Sequence, residues 1–264
     1  MARHVIPTAR FVVCDRADEA IAAVLGGHFG PPVVVKADGL AAGKGVVVAQ
    51  STAEAEAAIR AMMLDRVFAD AGRRVVVEEC LTGPEVSCFV LADGERAVWL
   101  GTAQDHKRIW DDDRGPNTGG MGAFAPSPLF DDALADFTTR KVVEPVMTGL
   151  AAEGESYRGF LYVSLMLTPD GPRVIEVAAR LGGGHDAELV HAAVGVDLNG
   201  LAIDAALGAP LAVPEPSPQA GGAVTRFLVA PVGILERVEV PDGVQARIYR
   251  EPGFVVTPLR RGSD

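Results

Sequence analysis

Cysteine is scarce and unpatterned. Cys14, Cys80 and Cys88 are odd in number and lack CxxC or Cys/His ligand spacing, so neither a disulfide framework nor a zinc site is expected. A reducing cytoplasm fits that usage. Positive charge is also short: 24 Lys and Arg stand against 35 Asp and Glu, giving a net charge of -11. That balance argues against nucleic acid or an anionic membrane as partner, while leaving room for a local basic pocket. No run approaches about 20 uninterrupted apolar residues, and the apolar stretch near the N-terminus is too short for a signal peptide, so a soluble protein is expected. No Ser-His-Asp or Cys-His arrangement stands out, and no repeat of fixed period is found.

What is present is apolar and ordered in pattern. With 264 residues, 48% of them hydrophobic, the chain can bury a substantial core in one or two compact domains. Strand-like β-branched runs recur at 11–14, 33–36, 46–49, 75–79, 86–91 and 174–177. Ser51 and Glu54 have capping-box spacing and predict a helix over 52–64. A second helix is expected over 131–153, kinked or interrupted at Pro145. Two more are expected at 186–194 and 197–207, with Gly195 and Gly208 as stop signals. The proline-rich stretch 210–222 reads as an extended connector, followed by a short β-rich tail.

Four segments carry chemistry. In PVVVKADGLAAGKGVVVAQ, two apolar β runs flank a loop containing Gly39, Gly43, Lys44 and Gly45, with Lys36 on the first strand. Glycines let backbone N–H groups turn toward an anion, and lysine supplies a point charge for phosphate oxygens. The spacing is not that of the P-loop, which needs Ser or Thr after its lysine and a following helix. A hairpin tip folded over phosphates is expected, the alternative being an ordinary glycine-rich hairpin. In VVVEECLTGPEVSC, Glu78 and Glu79 end a strand, and Leu81 and Glu85 follow. Such a segment can accept from an adenine amine, read the purine edge with backbone at Glu79 and Leu81, and reach ribose hydroxyls with Glu85. Solvated strand-end acids are the plainer alternative.

The third segment, AQDHKRIWDDDRGPNTGGMGAFAPSP, is polar and glycine-rich, with no regular secondary structure expected. Lys107 and Arg108 can hold phosphate groups, and Asn117, Thr118, Gly119 and Gly120 offer backbone that can close on a small substrate. A disordered surface loop is the competing reading. In GFLYVSLMLTPDGPRVIEVAARLGGGHDAE, two strands lead Glu176 and Arg180 out of the core. Nucleotide-bound Mg²⁺ takes one or two carboxylates plus phosphate oxygens, so Glu176 suffices for one ion. A buried Glu176–Arg180 ion pair is the structural alternative.

Together these segments resemble the ATP-grasp core of the phosphoribosylamine-glycine ligase family. The resemblance covers about residues 3–180 and rests on KADGLAAGKG, EE-L-G-E-S, QDHKR, PNTGGMGAFAPSP, GFLY and VIE-x-x-x-R, in that order. It implies an α+β ATP-grasp fold: a small lid over a larger antiparallel-sheet core, with a short β-rich C-terminal tail and without the family's preceding α/β domain. The expected division is 1–79 lid, 80–209 catalytic core, and 210–264 linker with β-rich segment.

By the same resemblance, Lys36, Gly39, Gly43, Lys44 and Gly45 hold ATP phosphates, and Glu78, Glu79, Leu81 and Glu85 hold the nucleoside. Asp105, Lys107, Arg108, Asn117, Thr118, Gly119, Gly120 and Arg180 face the substrates, and Glu176 binds Mg²⁺, or Mn²⁺ in its place. Lys44, Lys107 and Arg180 are the residues expected to act in catalysis. The implied reaction is an ATP-dependent joining of a carboxylate to an amine through an acyl phosphate, in purine biosynthesis. Small molecules are the implied partners, with a partner or self-association standing in for the preceding domain. Two departures point elsewhere. Ala178 stands where the family has a metal-binding Asn, and RLGGGHDAE, with the tail after it, looks more like other ATP-grasp carboxylate-amine ligases. The alternatives are therefore an ATP-grasp amino-acid ligase with different substrates and a non-catalytic nucleotide-binding remnant.

Overall fold

A computed structural model describes residues 1–41, 45–110, 114–117, 121–181, 186–209, 222–226, 237 and 239. The expected Gly43 and Lys44 loop tip, the Thr118 to Gly120 turn, the 182–185 loop, the 210–221 connector and most of the tail lie outside the described residues. The chain divides into two compact units, Met1–Arg226 and Phe227–Asp264. In the second, the described Arg237 and Glu239 form an ion pair at 2.6 Å.

The first unit begins with a four-stranded sheet. Its strands are β1 (Phe11–Cys14), β2 (Val33–Ala37), β3 (Val46–Ala49) and β4 (Val75–Glu79), in the order β1-β4-β2-β3 and antiparallel throughout. One face packs on α1 (Ala17–Leu25) and α2 (Thr52–Met63). Alternation decides which side chains go there: Val33, Val35, Val75 and Val77 point inward and are fully buried with Ile59 and Met62. Each such side chain contributes about 1.5–3 kcal/mol by leaving water. The expected cap is present, as Ser51 Oγ accepts from Glu54 N at 3.2 Å. Glu54 Oε2 returns the interaction one residue further back, accepting from Gln50 N at 2.8 Å.

The larger sheet has six strands. They are β5 (Glu85–Asp93), β6 (Ala97–Asp105), β9 (Gly122–Ala125), β10 (Arg158–Thr168), β11 (Gly171–Ala178) and β12 (Ala223–Arg226). Their order is β11-β10-β5-β6-β9-β12, and each pairing is antiparallel. The polar segment between β6 and β9 corrects the expectation of irregular backbone. β7 (Arg108–Trp110) and β8 (Arg114–Asn117) form a separate two-stranded ribbon there.

One face of the large sheet carries α5 (Asp186–Val194) and α6 (Leu198–Ala206), which bury Leu189, Val190, Leu198 and Leu201 against Phe89, Leu91 and Phe160. The other carries α3 (Asp132–Thr138) and α4 (Glu144–Ala152) against Val86, Cys88, Val163 and Leu165. Gly195 and Gly208 end α5 and α6 with φ of 78° and 73°, the left-handed geometry glycine adopts without strain. The expected break at Pro145 falls earlier, in a π-helical segment Thr139–Val143 where Glu144 N–H bonds Thr139 O. This extra residue before α4 leaves Pro145 in its first turn, where a missing N–H costs little. No single helix among the described residues is long and apolar enough to cross a membrane.

Candidate active site

The small sheet buries one face and leaves the other open. Register puts Phe11, Glu78, Val34 and Val48 in one cross-strand row of that open face, and Val13, Val76, Lys36 and Val46 in the next. The result is an apolar surface crossed by one ion pair, Lys36 Nζ to Glu78 Oε2 at 2.7 Å. Those groups are only 23% and 16% exposed, so the pair lies partly out of water and attracts more strongly than a surface pair would. An apolar face with one cation and one carboxylate suits a purine and its phosphates.

Glu79 points differently. Its carboxylate accepts from Arg10 N at 2.8 Å and Arg10 Nε at 2.7 Å. Burial opposes ionisation of Glu79, but these hydrogen bonds outweigh it and hold the carboxyl below its usual range. Its side chain is thus engaged by Arg10. Arg10 was not foreseen from sequence, because only the β1–β4 pairing brings it there. Gly39 and Gly45 brace the base of the β2–β3 loop. A Cβ on Gly39 would lie 2.5 Å from Ala71 Cα, and one on Gly45 would lie 2.7 Å from Ala41 Cβ.

Leu81 lies in the short link from β4 to β5, which carries the chain from the small sheet to the large one. Here one sheet face collects the remaining groups. Ser87 pairs with Ala103 and Ser164, and Ser164 pairs with Glu176. Glu85 and Asp105 lie two residues along the same face. Lys107 reaches Glu85 in an ion pair that joins the expected nucleoside acid to the expected substrate-side lysine. Burial works against the Lys107 ammonium, yet Glu85 overrides it and raises the group's proton affinity. Burial also pushes the Asp105 carboxyl above its usual range, with Lys107 partly offsetting that. Gln104 Nε2 donates to Glu85 O at 3.2 Å, and Ser127 Oγ donates to Gln104 Oε1 at 3.0 Å, tying β5 to the chain after β9.

Glu176 and Arg180 meet at 3.3 Å, but both are more than half exposed, so the buried ion pair considered above is not what forms. Arg180 also donates to Leu181 O at 2.9 Å and lies 5.6 Å from the centre of the Tyr162 ring, whose hydroxyl hydrogen-bonds Ser87 Oγ at 2.9 Å. Arg108 and Asn117 are register partners across β7 and β8. Among the described residues no three His, Cys, Asp or Glu side chains converge on one point. Among those residues, an ion shared between Glu176 and phosphate oxygens fits, because Glu176 alone supplies one carboxylate. Consistent with that, the Ser164 hydroxyl beside Glu176 is buried and has no hydrogen-bond partner among the described residues. A surface groove of about 630 Å³ lies elsewhere, on the helical side of the small sheet, lined by Asp15, Arg16, Ile21, Arg60 and Met63 among others.

The sequence profile of the phosphoribosylglycinamide synthetase ATP-grasp (A) domain matches residues 1–186. The chain belongs to that family. Among curated relatives, the phosphoribosylamine-glycine ligase of Escherichia coli O6:H1 is 49% identical over 183 residues, covering 69% of this chain and 42% of the relative. That of Xylella fastidiosa is 50% identical over 183 residues, covering 69% and 41%. The chain thus spans about two fifths of these relatives' length. Among solved structures, the phosphoribosylamine-glycine ligase of Thermotoga maritima is similar with a TM-score of 0.70 at 33% identity, covering 85% of this chain and 55% of that one. An L-amino acid ligase from Bacillus licheniformis shares the fold, with a TM-score of 0.55 at 22% identity over 78% of this chain and 45% of that one. The ATP-grasp fold of a small lid and a larger antiparallel core is therefore the family's own.

Proposed function

We propose that this chain is the ATP-grasp part of a ligase that phosphorylates the carboxylate of glycine and passes the acyl group to phosphoribosylamine, in purine biosynthesis and in the cytoplasm. The observation that carries the reading is the arrangement of Lys36 and Glu78 on the open lid face and of Glu85, Asp105 and Glu176 on one face of the core sheet, with Lys107 paired to Glu85. Family membership supports the reaction class.

In this account Lys36 and Lys44 neutralise phosphate charge, and the valine rows of the lid exclude water from the purine. Glu85 reaches the ribose, and the backbone of Glu79 and Leu81 reads the purine edge. Lys107, freed from Glu85 as ribose hydroxyls take its place, neutralises charge on the substrate side. Arg108, Asn117, Thr118, Gly119 and Gly120 enclose the substrates, and Arg180 orients the carboxylate. Asp105, with its raised proton affinity, accepts hydrogen bonds from the amine. Glu176 would hold Mg²⁺, which supplies Lewis-acid charge neutralisation to the transferring phosphoryl group when bound. No protein nucleophile is needed.

The test is ADP release from the purified 264-residue protein with amino acids and amines supplied singly and in pairs. The proposal expects release only when glycine and phosphoribosylamine are both present. Release with other pairs and none with glycine would assign a different carboxylate-amine ligase, and nucleotide binding without turnover under every combination would leave a binding module.

A further inference from the structure

Ser164 is 2% exposed, and its hydroxyl is the one buried side-chain oxygen or nitrogen among the described residues without a hydrogen-bond partner. Buried polar groups are almost always paired, so an unpaired one calls for a physical reason. Its neighbours explain why none of the described residues satisfies it. Ser164 lies on β10 directly between Ser87 of β5 and Glu176 of β11. The Ser87 hydroxyl is engaged with Tyr162, and the Glu176 carboxylate leans toward Arg180. One step along the sheet, Tyr162 faces Ala178, which offers only a methyl group.

The backbone is irregular at the same place. The β10–β11 register shifts between Ser164 and Leu165, where Glu176 and then Val174 are the successive partners and Ile175 is the extra residue. Bulges of this kind re-aim side chains and recur beside active sites. Here the bulge adjoins Glu176, the carboxylate assigned to the divalent cation.

We infer that Ser164 is a second protein oxygen of the metal site organised by Glu176, accepting a hydrogen bond from a water in the ion's shell. The inference rests on the proposal that Glu176 holds the cation. Mg²⁺ dehydrates reluctantly and keeps several waters, and each polarised water is a strong donor that needs an acceptor. A neutral hydroxyl meets that need without adding charge, and it comes from the strand beside Glu176 rather than from position 178, where Ala has none to give. Groups that hold a ligand or its water in place commonly change metal affinity by about 10–100-fold when removed.

The experiment is a Mn²⁺ titration, read by electron paramagnetic resonance of the free ion, on the 264-residue protein saturated with ADP. Ser164→Ala is expected to weaken Mn²⁺ binding by about tenfold. It should leave metal-free ADP affinity unchanged and the melting temperature of the unliganded protein unchanged or higher, since the substitution deletes an unpaired buried hydroxyl. Adding Ala178→Asn to Ser164→Ala is expected to restore the affinity. If Glu176→Gln weakens Mn²⁺ binding and Ser164→Ala does not, this inference is overturned while the metal assignment stands. If Glu176→Gln has no effect, the metal assignment itself fails and this inference falls with it. A Ser164→Ala protein that melts lower without ligand would make the residue structural and contradict the inference.

Discussion

Lys36 Nζ lies 2.7 Å from Glu78 Oε2 on a lid face otherwise made of valine and phenylalanine side chains. A cation held there is positioned before any nucleotide arrives. Lys36→Met should weaken ATP binding by about 10- to 100-fold, the equivalent of one hydrogen bond to a charged group at ~1.5–3 kcal/mol. It should also lower the melting temperature, because Glu78 is left partly buried and unpaired. Lys36→Arg should retain most of both. Calorimetric titration with a non-hydrolysed ATP analogue and a thermal melt read the two effects separately.

Asp105 and Glu79 give stability opposite dependences on pH. Burial raises the folded-state pKa of Asp105, so the folded chain binds more protons than the unfolded one between the ordinary carboxylate pKa and that raised value. Stability is lost as pH rises through this window. Glu79 is held low, so its contribution is present above the unfolded carboxylate pKa and disappears as pH falls through the depressed folded one. Asp105→Asn should therefore raise the melting temperature at neutral pH while reducing turnover, and Glu79→Gln should lower it at neutral pH and leave it unchanged in strong acid. Melts across pH 3 to pH 8 check both signs.

The strands were legible where valines repeat. Runs such as Val33 to Val35 and Val75 to Val77 carry their own β signal, and the burial of Val33, Val35, Val75 and Val77 follows from alternation. The β7–β8 ribbon was not legible, because strands of three and four residues, Arg108–Trp110 and Arg114–Asn117, are too short to show a period of two and exist through their mutual pairing. Helix α1 escaped for a related reason: Arg16 at its N-cap makes no side-chain capping hydrogen bond, so the usual start signal is missing. In the site, residue chemistry was readable but its partners were not. Arg10 beside Glu79, Lys107 beside Glu85 and Ser164 beside Glu176 are products of register between distant or bulged strands.

Gly39 donates its N–H to Ala71 O at 3.0 Å, with room for no side chain against Ala71. Gly39→Ala must push the base of the β2–β3 loop away from the segment before β4. A loss of about 1–3 kcal/mol is expected, as for other overpacked sites, together with weaker ATP binding. Denaturant unfolding gives the first quantity and nucleotide titration the second. Glycine at 39 should thus prove a packing requirement as well as a phosphate-loop feature.

Ala178 shares the strand end with Glu176 and has no side-chain oxygen to offer a cation there. Ala178→Asn should raise the ligation rate at saturating ATP and Mg²⁺ by several-fold to about tenfold, with ATP affinity nearly unchanged. Steady-state rates of ADP release at fixed excess Mg²⁺ check this. A fall in rate together with weaker ATP binding would mean that the amide blocks the site.

The acyl-phosphate route is tested most directly by oxygen transfer. With glycine labelled by oxygen-18 in its carboxylate, attack on the γ-phosphorus and later displacement by the amine must carry one labelled oxygen into inorganic phosphate. The account predicts one oxygen-18 per phosphate released, in step with ADP, by mass spectrometry of the phosphate. ADP and phosphate formed at the same rate without label would contradict it, since the carboxylate would never have received the phosphoryl group.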